Sequence, residues 1–347
     1  MDYTKIIPLL QKAVEYPATD IHLVVDKPPV FRIHGELIVS NLPPLTKDGL
    51  AQTVFNMMTD AQRKFFEEKQ DIDLSYVGIK NFNFRINAYI EKGHPAANIR
   101  ILPNRIPAAL ELGLPPVIEK LALKRKGLIM ICGPAGSGKT TTMNYMVNLI
   151  NKERRFKIVM IEDPIEYIHE SKKSLIIQRE VGTHTESFAS ALKHALRQDP
   201  DVVVVGEVRD AESISMALTT AETGHLVLTT LHASDAVESI NRILDVYPPG
   251  KQTQIRTQLA ENLIAVISQT LIPLQDKEGR TLITEVLIPT LSIRNMIRRG
   301  ALLEIRGHMT TGDEGMSTFE QNLAKLVLKG TLNKDYAKEF AKFPNLL

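Results

Sequence analysis

The sequence predicts an α/β protein whose main sheet is largely parallel, preceded by a small α+β module. Three observations predict it. From about Leu121, short apolar strands alternate with helical stretches, at 127–132, 157–162, 202–206, 226–231 and 282–288. Strands separated by helices pair in parallel and are covered on both faces. The first of these strands runs into Gly133-Pro134-Ala135-Gly136-Ser137-Gly138-Lys139-Thr140, which fits the phosphate-binding pattern G-x-x-x-x-G-K-[ST]. The first hundred residues show a hairpin, two helical stretches and then strands of alternating polarity, with no such loop.

The elements follow in chain order. Tyr3 to Glu15 predicts a short helix, broken near its start by Pro8. Ile21 to Val25 is a strand, and Pro28-Pro29 turns the chain into Val30 to His34, giving a hairpin that ends at Gly35. Helices are expected over Lys47 to Met58 and Asp60 to Gln70, then strands over 72–76, 82–87 and 96–102. Pro103, Pro107, Pro115 and Pro116 punctuate a linker. The helix expected over Glu186 to Arg197 places Phe188, Leu192, Ala195 and Leu196 on one face. The tail predicts helices over Ser292 to Arg299, Ser317 to Leu332 and Lys334 to Phe343, with Gly312 to Gly315 as a mobile connection. The expected division is 1–103, linker 104–116, core 117–290 and helical region 291–347.

The octapeptide carries the first chemistry. Its glycines let backbone N–H groups curl around oxygens that a Cβ would block. Lys139 supplies a charge for β- and γ-phosphates, and the Thr140 hydroxyl suits Mg²⁺. Thr141 to Lys152 predicts a helix whose N-terminus favours anions. These residues, with Thr141, form the expected ATP site, with Mg²⁺ as cofactor.

Val202-Val203-Val204-Val205-Gly206-Glu207 is a buried strand that delivers a carboxylate to the C-terminal edge of the sheet, where ligands of open α/β sheets bind. Glu207 there can orient or deprotonate a water attacking a γ-phosphate. Ile161-Glu162-Asp163-Pro164-Ile165-Glu166-Tyr167 brings further acids to that edge. Asp163 and Glu166 could hold Mg²⁺ through water or position the attacking water, with Glu162 joining Asp163 as a candidate Mg²⁺ group; alone, the segment better fits a solvated acidic turn. His225 and His232 bracket the apolar run 226–231, where spacing alone favours structural histidines.

Composition excludes other classes. The 347 residues carry a net charge of +2, with 24% charged and 44% hydrophobic residues, an ordinary soluble balance. The longest apolar stretch, Leu263 to Leu274, is interrupted by Ser268, Gln269 and Thr270 and falls short of the roughly 20 residues that span a bilayer. No signal-peptide pattern opens the chain, so a cytoplasmic location is expected. The single cysteine, Cys132, excludes an internal disulfide and a multi-cysteine zinc site. Aromatics at 5% and the lack of a basic stripe argue against a nucleic-acid partner; Lys124-Arg125-Lys126 suits a solvated face.

The wording and order of EDPIEY, RQDPDVVVVGEVRD and TGHLVLTTLHA after the phosphate loop resemble the secretion ATPases of the type II and type IV pilus superfamily. The resemblance begins at Thr19-Asp20-Ile21-His22-Leu23 and runs to Met316-Ser317-Thr318-Phe319-Glu320-Gln321. Within the superfamily the chain is most similar to the type IV pilus retraction ATPases. It lacks an extra leading domain and a tetracysteine element, and Ser292-Ile293-Arg294-Asn295-Met296-Ile297-Arg298-Arg299 resembles the retraction motif AIRNLIRE. Ser292 and Arg299 depart from that motif, and Arg299 reverses a charge.

The resemblance implies a RecA-like P-loop ATPase core with an N-terminal α+β domain of PAS-like type and a C-terminal helical tail. It implies catalytic roles for Glu207, Asp163 and Glu166, and nucleotide sensing by His225 and His232. It also implies a homohexamer in which Arg85 and Arg100 reach a neighbour's nucleotide; by themselves they suit surface arginines. The implied function is ATP-driven pilus retraction and twitching motility. The implied partners are an inner-membrane pilus platform protein, which places the motor at the cytoplasmic face of that membrane, and a paralogous retraction ATPase. The alternatives are a pilus-extension or type II secretion ATPase, or an ATP-binding regulatory paralogue.

Overall fold

Residues 6–16, 18–79, 82–103, 105–275 and 279–347 are described by the computed structural model of the chain. They fall into two units: residues up to Arg105 with Pro164–Ile168, and Ile106–Asp163 with His169–Leu347.

The first unit contains α1 (Ile7–Glu15), β1 (Asp20–Leu23), β2 (Val30–Ile33), β3 (Glu36–Val39), α2 (Lys47–Phe55), α3 (Asp60–Lys69), β4 (Asp71–Ile79), β5 (Phe82–Glu91) and β6 (His94–Pro103). The strands form an antiparallel sheet in the order β3-β2-β1-β6-β5-β4. Alternation divides its faces. Ile21, Leu23, Phe84, Ile86, Ile99 and Ile101 join Leu10, Leu50 and Phe66 of the helices in one buried core. The register puts Asp20 opposite Arg100, and Arg100 opposite Arg85.

Two expectations are corrected here. Pro8 lies in the first turn of α1, where its missing N–H has no helical acceptor, so it starts the helix rather than breaking it. Residues 3–5 of that expected helix lie outside the described residues. The chain also continues past Gly35 into β3, which the sequence reading missed. His34 (φ 49°) and Gly35 (φ 87°) make a tight hairpin turn. All four β3 residues are exposed at the sheet edge, so no alternation marks them.

The second unit contains α4 (Ala109–Leu112), α5 (Val117–Ala122), β7 (Gly127–Cys132), α6 (Lys139–Glu153), β8 (Lys157–Glu162), β9 (Leu175–Glu180), α7 (Phe188–Ala195), β10 (Val202–Val205), α8 (Ala211–Glu222), β11 (Leu226–Leu231), α9 (Ala236–Asp245), α10 (Pro249–Asn262), β12 (Leu263–Pro273), β13 (Arg280–Leu287), α11 (Leu291–Arg299), α12 (Leu302–Met309), α13 (Phe319–Leu328) and α14 (Lys334–Phe340). The sheet order is β13-β12-β7-β11-β10-β8-β9, parallel throughout except for β13. β7, β10 and β11 are buried at every residue, as strands covered on both faces must be.

The parallel sheet agrees with the sequence, while β9, β12 and α12 are additions to it. Leu263 to Leu274 is mostly strand β12, and two of its polar interruptions find hydrogen-bond partners on distant loops. Ser268 Oγ donates to Ser234 O at 3.2 Å, and Gln269 Nε2 to Ser137 O at 2.7 Å. The stretch expected as a linker packs on the second unit from Ile106, with Ile106, Ala109 and Leu112 against its core. The tail helices belong to the same unit; Leu323, Leu332 and Ala337 cover Ile272 and Ile283. Gly312 to Gly315 includes a 3-10 turn over Asp313–Gly315. Among the described residues no helix is long and apolar enough to cross a membrane.

Candidate functional site

The loop 133–138 leaves the buried end of β7 and enters α6 through Gly138, which is left-handed at φ 86°. At Gly133 (φ 149°) an added Cβ would lie 2.2 Å from Gln269 O and 2.6 Å from Ser137 Oγ. The space therefore admits only glycine, and it forms a cradle of backbone N–H groups. Ser137 Oγ is buried with no hydrogen-bond partner among the described residues. An unpaired buried hydroxyl beside such a cradle suits a phosphate oxygen. Lys139 is almost buried, and its ammonium donates to the carbonyls of Gly133 and Pro134, both at 2.9 Å. Pro134, Ala135 and Gly136 form the exposed tip, while Thr140 and Thr141 are half-buried in the first turn of α6.

We expect Gly133→Ala to lower nucleotide affinity at least about ten-fold, since the clash is with backbone and cannot relax cheaply. Gly136→Ala meets nothing within 4 Å and bears only the strain of φ 73°, of order 1 kcal/mol. Titrating both variants with a fluorescent nucleotide checks the contrast; equal affinities would remove the steric argument.

β10 carries the chain to Glu207. Gly206 extends its pairing, donating N–H to Ile161 O at 2.7 Å and accepting from Thr230 Oγ1 at 2.5 Å. Glu207 Oε2 accepts from Arg209 Nη2 at 2.7 Å, and Oε1 lies 3.4 Å from His232 Nε2. His232 Nδ1 lies 3.5 Å from Lys139 Nζ. An ammonium only donates, so Nδ1 accepts and the ring proton sits on Nε2, facing Glu207. Burial, and next the Lys139 charge, lower the pKa of His232, which keeps it neutral. Arg209 is held more firmly charged by its bond to Glu207, with Asp163 adding attraction. A cleft of about 440 Å³ opens beside Glu207, Arg209 and His232.

The structure brings Lys139, His232 and Glu207 into one file, and it treats the other candidates differently. Glu162 is buried, with Oε1 accepting from Gln178 Nε2 at 2.9 Å, and Asp163 is exposed beside it. Glu166 lies in the segment grouped with the first unit, where Asn83 Nδ2 donates to Ile165 O at 2.6 Å and Glu166 O at 3.2 Å. His225 is not brought to this edge. It precedes β11, and its carbonyl accepts from Gly127 N at the start of β7, at the opposite edge of the parallel sheet. With a strand rise of ~3.3 Å per residue it stands roughly 20 Å from His232. Its Nδ1 contacts Thr220 O and Thr223 Oγ1, fastening the end of α8. Arg100 Nε donates to Asp20 Oδ1 at 3.0 Å, and Arg85 lies 3.8 Å from Asp73, in the first unit.

Sequence reasoning assigned no site role to Gln269, Arg209 or Asn83. Gln269 was visible as an amide inside an apolar strand, and Arg209 as the charge two residues after Glu207.

For Mg²⁺, the donor set fits a metal that keeps waters and binds through few protein groups. The Thr140 hydroxyl lies in the first turn of α6, Glu162 ends β8 and Asp163 follows it, and the described residues hold no cage of three or more His, Cys, Asp or Glu.

A family model for "Type II/IV secretion system protein" matches residues 3–337. The "Twitching motility protein" of Neisseria gonorrhoeae is 42% identical over 315 residues, 90% of this chain and 84% of that one. The "Type IV pilus retractation ATPase PilT" of Pseudomonas aeruginosa is 41% identical over 345 residues, 99% of both chains. A crystal structure of the pilus retraction motor PilT with bound ADP superposes with a TM-score of 0.91 at 41% identity, covering 99% of this chain and 98% of that one. The α/β architecture expected from the sequence, a P-loop core with an N-terminal α+β unit, is shared across that whole length. The chain thus belongs to the type II/IV secretion system protein family that its motifs resemble.

Proposed function

We propose that this protein is the ATP-hydrolysing motor of type IV pilus retraction, acting as a cytoplasmic homohexamer at the inner face of the membrane. The observation that carries the reading is the end-to-end match to a retraction ATPase together with an intact Lys139–His232–Glu207 file. ATP is the substrate, and its phosphates enter the N–H cradle of 133–138. Lys139 exchanges the carbonyls of Gly133 and Pro134 for phosphate oxygens. Arg209 holds Oε2 of Glu207 tightly, and the longer contact from His232 leaves Oε1 as the oxygen that takes a proton from the attacking water. Thr140, and through water Glu162 and Asp163, would hold Mg²⁺, which would supply charge neutralisation at the phosphates. Asp163 and Glu166 help position the water. His232 senses the nucleotide through its contact with Lys139.

Arg85 and Arg100 act on the nucleotide of a neighbouring subunit, where an arginine stabilises the transferring phosphoryl group. They lie side by side in the sheet register, so both can be presented together. The partners are an inner-membrane platform protein and a paralogous ATPase, and the work done is return of pilin subunits to the membrane.

Deleting the gene from its own cell is the test. We expect abundant surface pili and lost twitching. Cells without pili would instead make the protein an extension motor.

A further inference from the structure

The acidic loop leaves β8 at Glu162 and rejoins the second unit at His169. One side chain pins both ends. Gln178 on β9 donates Nε2–H to Glu162 Oε1 at 2.9 Å and accepts His169 N–H on Oε1 at 2.9 Å. The His169 ring continues the chain, with Nε2 2.6 Å from Asn144 Oδ1. Asn144 is fully buried on α6 and donates Nδ2–H to Thr140 O at 2.9 Å.

The proton directions are forced. A backbone carbonyl only accepts, so Asn144 offers its amide hydrogen to Thr140 and its oxygen to the ring. His169 is therefore the donor, through Nε2–H. Burial, reinforced by Lys172, holds its pKa down at about 4, so the ring is neutral at ordinary pH. Asparagine is a poor helix former and is costly to bury without partners. Its position inside α6, one turn past Thr140, is explained by this bond.

We propose that His169 is a positioning residue for the hydrolysis, tying the end of β8 to the first turn of α6 so that Glu162 and Thr140 keep a fixed spacing. This rests on the ATPase reading above. Thr140 and Glu162 are two of the three groups assigned to Mg²⁺, the first directly and the second through water. Beyond the sheet that carries β7 and β8, the link Thr140–Asn144–His169–Gln178–Glu162 joins the two through side chains. Partners behind metal-binding groups typically change metal affinity 10–100-fold when lost.

The test uses full-length His169→Phe, which keeps a ring but no donor, and His169→Gln, which restores an N–H. A fluorescent ADP analogue is titrated first in EDTA and then against Mg²⁺, beside steady-state ATP hydrolysis and thermal melting. For His169→Phe we expect metal-free nucleotide affinity within about two-fold of the parent, a Mg²⁺ requirement raised about ten-fold, and kcat lowered by a similar factor. His169→Gln should recover most of both. Should His169→Phe not fold, Gln178→Met breaks the same link from β9, and the same rise in Mg²⁺ requirement is expected. An unchanged Mg²⁺ requirement, equal behaviour of Phe and Gln, or metal-free affinity falling in step with metal binding would overturn the proposal. A parent protein that binds ADP but shows no Mg²⁺-dependent hydrolysis would instead overturn the ATPase reading beneath it.

Discussion

Glu207→Gln binds ATP with nearly parental affinity and loses turnover by about 10²–10⁴-fold. The substitution keeps the size of the side chain and an oxygen for Arg209, so β10 and its neighbours stay in place. What disappears is the negative charge that the proposed mechanism uses to accept a proton from water. Nucleotide affinity comes from the cradle at 133–138 and Lys139, which the change does not touch. Nucleotide binding measured beside single-turnover hydrolysis separates the two. Turnover within a few-fold of the parent would remove Glu207 as the base, and joint loss of binding and turnover would make it a structural acid.

Arg100→Ala and Lys139→Ala, each nearly inactive alone, regain activity when mixed. Loss of an arginine acting on the transferring phosphate costs roughly 10³–10⁵ in rate. Lys139→Ala empties the cradle of its cation. If each site joins one subunit's Lys139 to the next subunit's Arg100, about a quarter of the interfaces in a randomly mixed ring hold both. Arg100 is mostly exposed, and Arg32 stands opposite Asp20 in the register, so its loss leaves the first unit folded. Melting curves check that. A mixture no more active than its components would mean that each chain completes its own site, and the neighbour-supplied arginines would have to be abandoned.

Linear motifs explain how much of the site was legible. Gly133 to Thr140 is one continuous segment whose chemistry is set by residue type, and Val202 to Glu207 is a strand whose last residue must emerge at the ligand edge. β7, β8, β10 and β11 were equally plain, because buried parallel strands are unbroken apolar runs. β12 was obscured by Ser268 and Gln269, polar residues whose partners lie on distant loops. β3 was hidden because an exposed edge strand needs no alternation.

His225 and His232 mark the limit most clearly. The sequence places both beside one strand, but six residues of extended chain put them at opposite edges of the sheet. His232 therefore meets Lys139 and Glu207, while His225 fastens a helix end.

By itself the sequence determined the α/β architecture and the family, and it displayed the phosphate-loop pattern and the acid at the end of β10, since each is carried by contiguous residues. The tertiary structure alone decided which distant residues meet. Gln269 meets Ser137 across 132 residues, and Asn83 meets Ile165 across 82. The chain Thr140–Asn144–His169–Gln178–Glu162 exists only because α6, the returning loop, β9 and β8 pack against one another. A hydrogen bond needs its partners within about 3 Å, and no spacing along a chain fixes that distance for residues so far apart.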